Sequence, residues 1–381
     1  MEAVVNQDKE VDRKSAMGLV LPLISLSVGV ISYGQWWWTI ALSIFFPGLL
    51  FRCESRIQAL AVAALYHLGA TRALALAAGQ FYGESTFFGI VIWLLGNSIN
   101  ALVFAALWHS SPRIRLYTIT LAILLTSVPP LGIVGWANPL TSAGIIFPGA
   151  GVAGLFYVIG LYVSLSSRQY SFVKVFAILS LWCFASSKTP KLNFMSGIST
   201  SFQRTEDNGL EDFKRQTSLF AKVRSAKEKI VLLPEGIVTG GWTEVGKRLW
   251  SKEPKSVLIG AELKVGRPEN IIVDSKSGEI YRQRQPIPLS MWRPFDSSSY
   301  AASWFQNPLI EVNGKQIAPL ICYEGFLVWP VVHSYLAGAT SIAATGNYWW
   351  DRGKELSAIH ESIVKSWSRL FSIPYTIAVN Q

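Results

Sequence analysis

The chain has 381 residues, half of them hydrophobic and 15% charged, where an ordinary soluble protein carries about 25% charged residues. Its formal net charge is +10, but many of the basic residues lie in short loops between apolar stretches and no nucleic-acid motif accompanies them, which argues against nucleic acid as a partner. Three cysteines, Cys53, Cys183 and Cys322, supply neither a disulfide framework nor metal-ligand spacing, and no metal or cofactor is expected.

The acidic deficit is local: between Lys14 and Lys188 the only acids are Glu54 and Glu84. Apolar stretches recur there at about 17–34, 36–51, 57–80, 86–108, 115–137, 143–165 and 171–187. Each is near the ~20 residues that cross a bilayer, which predicts an N-terminal polytopic α-helical membrane bundle of about seven helices over residues 1–187. More apolar stretches follow the first directly, so it does not read as a cleavable signal peptide. Arg52 and Arg56, Arg113 and Arg115, and Arg168 and Lys174 mark alternate loops, and the loops between them carry no Lys or Arg. With Lys9, Arg13 and Lys14 at the N-terminus, that asymmetry predicts a cytoplasmic N-terminus and a C-terminal half outside, in the periplasm of a bacterium. Arg72 falls inside the third stretch, where a charge is costly; it is expected to snorkel or face the bundle interior, with a lipid headgroup as the alternative partner. Trp36, Trp37 and Trp38 are expected as an interfacial anchor. Cys53 and Cys183 read as small buried hydrophobes, and the scarcity of intramembrane charge argues against a transporter or channel.

Residues 188–210 read as a polar linker, and 211–381 as an α/β domain. An amphipathic helix is predicted over 211–227, with further helices at about 241–251, 325–337 and 355–371. Strands are predicted at 229–234, 256–261, 270–274, 278–281, 309–312, 316–321, 340–345 and 374–379. Asp274–Gly278 and Asn313-Gly314 are hairpin turns. Two strand ends carry chemistry. The run 229–234 ends on Glu235, and 316–321 ends on Cys322-Tyr323-Glu324-Gly325, where a tight turn into a helix can hold a nucleophile and also expose it. A thiol and a carboxylate so placed point to cysteine acyl chemistry.

Leu233-Pro234-Glu235, Ser277-Gly278-Glu279-Ile280-Tyr281, Ile321-Cys322-Tyr323-Glu324 and Gly346-Asn347-Tyr348-Trp349-Trp350 occur in the order seen in the nitrilase (carbon–nitrogen hydrolase) superfamily. With a polytopic half before it, the whole resembles apolipoprotein N-acyltransferase. The spacing of His360 to Pro374, and Val379-Asn380-Gln381 near the end, are similar to that family's late elements. Met291-Trp292-Arg293-Pro294-Phe295 looks like the TraB branch that serves conjugal transfer of rhizobial and agrobacterial plasmids.

The resemblance implies an αββα sandwich for the C-terminal half and a Glu–Lys–Cys triad. Glu235 takes the place of the base and Cys322 that of the nucleophile, with the backbone N–H after Cys322 able to face an oxyanion. The Lys slot departs from the pattern: without a gap it holds Gln283, and a one-residue slip would bring Arg282 or Arg284. The family's later Glu becomes Met291 and its Asp becomes Asn347. Glu324, Asn347 and Trp349 are the supporting or substrate-binding residues it implies; His333 and His360 have no part in the pattern and read as structural. The chain stops near the family's Asn-Asn element, which implies that the last strands and the final membrane helix are missing. Two functions follow. One is an inner-membrane acyltransferase or amidase-like enzyme that passes an acyl group from a membrane lipid through a Cys322 thioester to an amine or protein acceptor. The other is a catalytically altered relative that binds other conjugal-transfer components.

Overall fold

A computed structural model describes residues 18–188, 190–203, 209–238, 241–264, 266–351 and 353–381; the basic N-terminus with Lys9, Arg13 and Lys14 lies outside them. The N-terminal half is helical: α1 (Gly18–Ser32), a 3-10 segment (Trp37–Ile44) running into α2 (Phe45–Arg52), α3 (Arg56–Ala70), α4 (Ala73–Tyr82), α5 (Thr86–Leu107), α6 (Pro112–Leu125), the single turn α7 (Ala143–Ile146), α8 (Val152–Ser166) and α9 (Tyr170–Ser186).

This is not the expected seven-helix membrane bundle. Among the described residues only α5, 22 residues long, has the length and apolarity to cross a membrane; α3 and α4, bent by 64° at their junction, would together make a second span. Apolar composition does not by itself make a straight helix. The stretch expected at 115–137 stops at Leu125 and runs into a loop carrying Pro129, Pro130, Gly132 and Gly135; that at 143–165 is divided around Gly149 and Gly151. The loop charges thus no longer specify seven crossings.

Residues singled out in the apolar half make specific protein contacts. Arg115 donates to the carbonyls of Phe51, Cys53, His109 and Ser110 at 2.6–2.7 Å. Arg72, at the bend between α3 and α4, donates to the carbonyls of Val30, Tyr33 and Gly69 and pairs with Glu355 in the C-terminal half. Trp37 lies beneath Lys365 and Arg369, with ring-to-cation distances of 4.4 and 5.0 Å, while Trp36 and Trp38 are exposed. Cys53 and Cys183 are buried free thiols.

The C-terminal half holds two sheets. The first has the order β1 (Met195–Gly197), β2 (Ile230–Leu232), β3 (Ser256–Leu263), β4 (Glu269–Asp274), β5 (Ile280–Arg282); its first three strands are parallel and its last two antiparallel. The second runs β6 (Ile310–Val312), β7 (Lys315–Ile321), β8 (Ser341–Asn347), β9 (Tyr375–Asn380). Side chains alternate cleanly along β2 and β3. Ile230, Leu232 and Leu258 face the second sheet, while Val231, Leu233, Val257 and Ile259 pack under α10 (Gly209–Ser225) and α11 (Glu244–Ser251). On the far side, α12 (Val328–Leu336) lies on β7 and α13 (Glu355–Phe371) on β8 and β9. The result is four layers, helix–sheet–sheet–helix. Strand β1 was missed, because its three residues lie in the stretch expected as a polar linker.

Helix α13 is shared. Its other face meets the 3-10 segment at 37–44 and α7, with Ser366 donating to the Thr141 carbonyl at 2.6 Å and Gly149 and Gly151 N–H bonding the Arg369 and Leu370 carbonyls at 2.8 Å. One buried apolar cluster therefore runs from Phe46 and Tyr66 in the helical half through Ile363 and Leu370 into the sheets. Much of the apolar sequence expected to face lipid packs against protein instead.

Candidate active site

Strand β7 delivers Cys322 to the first position of a 3-10 turn, Cys322–Phe326, where its φ is +51°. A non-glycine residue in the left-handed region is strained, and it persists only where its surroundings fix it. Here Glu324 does the fixing. Its buried carboxylate accepts from the Ile321 N–H at 2.7 Å, the Arg284 N–H at 2.6 Å and the Tyr281 hydroxyl at 2.9 Å. Burial raises its pKa, and the facing Arg284 guanidinium, 3.5 Å away and equally buried, opposes that rise. Glu324 is thus a brace for the turn that carries the thiol.

Glu235 comes from the loop after β2 and lines the same cleft as Cys322, where its charge acts on the thiol. Both groups are buried. Burial pushes the Glu235 carboxyl up to about 7 and, with the Glu235 charge beside it, pushes the thiol well above its ordinary value. The resting pair is a protonated thiol next to a carboxyl poised near neutrality, the state in which a carboxylate can take the proton as sulfur attacks. The backbone amides of Asn347 and Tyr323 favour the thiol's anion.

Gln283 stands in the place of the Lys. Its side chain donates to the Ile321 carbonyl at 2.9 Å, immediately before the thiol, and accepts at 3.0 Å from Asn270, which also donates to Glu235 at 2.9 Å. The two arginines do not come in. Arg284 is fully buried among Tyr281, the Pro330 carbonyl and Ser334, beside His333, and Arg282 pairs with Glu269 at 2.9 Å. Adjacent positions on β5 and its extension point to opposite faces, so the site that admits Gln283 turns both neighbours away. Asn347 accepts from Asn380 at 3.0 Å, and Trp349 lines the cleft beside Glu235.

Two spaces meet at Cys322. One, about 140 Å³, is apolar and lies between the halves, walled by Leu74, Ala78, Phe81 and Trp93 of the helical half and by Ile287, Phe326 and Tyr348. The other, about 330 Å³, is polar and lined by Glu235, Glu262, Asn270, Asn347, Trp349 and Arg215. The turn is clamped to the helical half: Tyr323 donates to the Ile133 carbonyl at 3.0 Å and Phe326 packs against Trp136 with centroids 4.5 Å apart and the rings tilted by 48°. Sequence reasoning found Glu235, Cys322 and Gln283, which the fold brings together. It missed the role of Asn270, an amide just before the apolar run Ile271–Val273, and of Tyr348 inside the Gly346–Trp350 motif, and it missed the helical wall, which has no local signal.

No family model matches the chain. It is 32% identical over 390 residues to the conjugal transfer protein TraB of Agrobacterium fabrum, spanning 95% of this chain and 92% of that one. It is 33% identical over 389 residues to the probable conjugal transfer protein TraB of Sinorhizobium fredii, spanning 95% and 97%. The chain belongs to the TraB family of conjugal transfer proteins. Among solved structures, this TraB-family chain is similar to an amidase of the nitrilase superfamily from Nesterenkonia, at 12% identity and a TM-score of 0.32 over 40% of this chain and 64% of that one. A glutamine-dependent NAD+ synthetase from Acinetobacter baumannii matches at 13% identity and a TM-score of 0.32, over 40% and 32%. Each of these matches leaves more than half of the TraB-family chain uncovered.

Proposed function

We propose that the chain is a membrane-associated component of plasmid conjugal transfer whose C-terminal half moves an acyl group through a thioester on Cys322, in the manner of an N-acyltransferase. The observation that carries this reading is the position of the thiol: strained, in one cleft with Glu235 and set where that cleft meets an apolar chamber. The chamber suits the acyl chain of a membrane lipid; the cleft, with Glu235 and Glu262, suits a cationic amine. Exposed Phe172, Ile178, Leu181 and Trp182 on α9, with Trp36 and Trp38, offer an apolar surface for membrane association.

In the first step Sγ attacks the ester carbonyl while the Glu235 carboxylate takes the thiol proton. The carbonyl electron pair collects on oxygen, facing the Tyr323 N–H and the Gln283 N–H not used by Ile321. Collapse breaks the C–O bond, and Glu235 returns its proton to the departing alcohol, leaving the thioester. An acceptor amine then attacks the thioester carbonyl, Glu235 takes the amine proton, and the thiol is released with that proton. The expected result is an alkali- and hydroxylamine-sensitive label on the full chain after incubation in vesicles of phospholipid with an alkyne-tagged acyl chain, absent in Cys322→Ala. No label, together with full conjugation by Cys322→Ala cells, would sink the proposal.

A second reading rests on Gln283. A neutral amide in the Lys slot supplies no charge to the tetrahedral intermediate, which favours a binding platform for other transfer components. It requires that Cys322→Ala and Glu235→Gln both support transfer at normal protein levels.

A further inference from the structure

Tyr348, just beyond the end of β8, is 2% exposed; it lines the apolar chamber beside Cys322, and its hydroxyl hydrogen-bonds Nδ1 of His360 on α13 at 2.9 Å. Neither residue has a part in the scheme above. We propose that Tyr348 is a further catalytic residue: its O–H, oriented by His360, donates to the Cys322 sulfur and stabilises the thiolate formed as Glu235 takes the proton. The inference rests on the reading of Cys322 as nucleophile and deepens it.

The direction of the hydrogen bond follows from the other side of the imidazole. His360 is fully buried, and burial lowers its pKa to about 3, so the ring is neutral and one nitrogen carries hydrogen. Its Nε2 has no hydrogen-bond partner among the described residues, and it lies 2.3 Å from where a Cβ on Gly325 would sit. A buried N–H left without an acceptor is rarer and costlier than a bare lone pair. The proton is therefore assigned to Nδ1, which donates to the Tyr348 oxygen. That oxygen is then an acceptor toward His360, and its own hydrogen is free to point at sulfur. Phe326, on the nucleophile turn itself, stacks on the imidazole with centroids 5.1 Å apart and fixes the ring plane.

The charges around the thiol give the bond its importance. Glu235 faces it directly, Glu262 and Glu324 lie behind Glu235, and Asp351 lies behind Tyr348. Glu235 opposes a thiolate directly, while Glu262 and Glu324 act on Glu235 and Asp351 on Tyr348. Arg282 and Arg284 are held by Glu269 and Glu324, and Arg215, at the edge of the polar cleft, donates to the Gln203 carbonyl. The Lys slot is neutral. A hydroxyl donor fixed from behind is what the site offers in place of a cation. Glu235 remains the proton acceptor, so Tyr348 keeps its own proton throughout and His360 stays neutral, acting as a positioning residue.

The test is the pH dependence of iodoacetamide alkylation at Cys322, followed by peptide mass on the full chain in membranes, with a thermal melt of each variant. A hydrogen bond to an anion is lost in Tyr348→Phe, so the apparent thiol pKa is expected to rise by about one unit and alkylation below it to slow about tenfold. His360→Leu should do the same, while His360→Asn, which keeps a donor near the Nδ1 position, should retain most of the wild-type profile. Should Tyr348→Phe not fold, the two His360 variants carry the same comparison. Variants that melt lower but keep the wild-type profile overturn the proposal; so does a wild-type Cys322 that is labelled only after denaturation. A tyrosine-dependent profile without any acyl label from phospholipid would instead remove the acyl-transfer reading and leave this inference standing.

Discussion

Glu235 ties acid–base chemistry to stability. Its carboxyl is raised from an ordinary 4.5 to about 7, chiefly by burial. Between those values the unfolded chain gives up a proton that the folded chain retains, so stability falls as pH rises through the window and levels off above it. Glu235→Gln removes the carboxyl and keeps the shape. The stability of wild type relative to this variant should therefore decrease by on the order of 3 kcal/mol between about pH 4.5 and pH 8. Denaturant midpoints at the two pH values measure it, with Glu324 and Asp351 common to both proteins. A difference that stays flat with pH would mean that the carboxyl is not held in the raised state. The same residue gives the chemistry its pH dependence: acylation needs the carboxylate, so it should increase as pH rises through about 7.

The elements around the site are arranged by close backbone approach. Strand β3 passes directly beneath the loop carrying Glu235, and a Cβ on Gly260 would lie 2.1 Å from the Pro234 carbonyl oxygen and 2.7 Å from the Glu235 Cα. Backbone cannot yield as a flexible side chain can. Gly260→Ala should thus cost about 1–3 kcal/mol and displace Glu235 from the thiol. A lower melting temperature together with slowed alkylation of Cys322 is the expected pair of results; an unchanged melt would show that the loop moves freely off β3. On the opposite side, Asn270 at the second position of β4 bonds Glu235 and Gln283 at once, so the strand spacing of one sheet sets the base relative to the Lys slot.

At the scale of the molecule, the Arg72–Glu355 pair is one of several contacts that join the two halves. Arg72 gathers three carbonyls around the bend between α3 and α4 and reaches Glu355 at the start of α13. Removing the cation strands acceptors that lose their donor; removing the acid leaves those bonds intact. Arg72→Leu is expected to cost about 1–3 kcal/mol and Glu355→Gln under about 1 kcal/mol. Melts of the two single variants and the double variant check the order, and equal losses would place the weight on the ion pair instead. Because the apolar chamber is walled by both halves, Arg72→Leu should also make Cys322 more open to bulky alkylating reagents.

The sequence by itself determined every strand of the two sheets except β1, with the period-2 alternation on β2 and β3, the hairpin at Asn313-Gly314, and the positions of Glu235 and Cys322 at strand ends. Those features are local, because a strand's faces and a turn's φ values are set by a few adjacent residues. It also pointed to the TraB family through the Met291–Phe295 run, and the chain belongs to that family. Tertiary structure decided the rest. Hydropathy counts apolar side chains without saying whether lipid or protein covers them, so seven apolar stretches became one or two candidate spans and a shared core. The choice of Gln283 over Arg282 or Arg284 depended on which face of β5 and its extension looks toward Cys322. The Tyr348–His360 pair depended on α13 crossing behind the nucleophile turn. Both are matters of how distant segments meet, which no local pattern records.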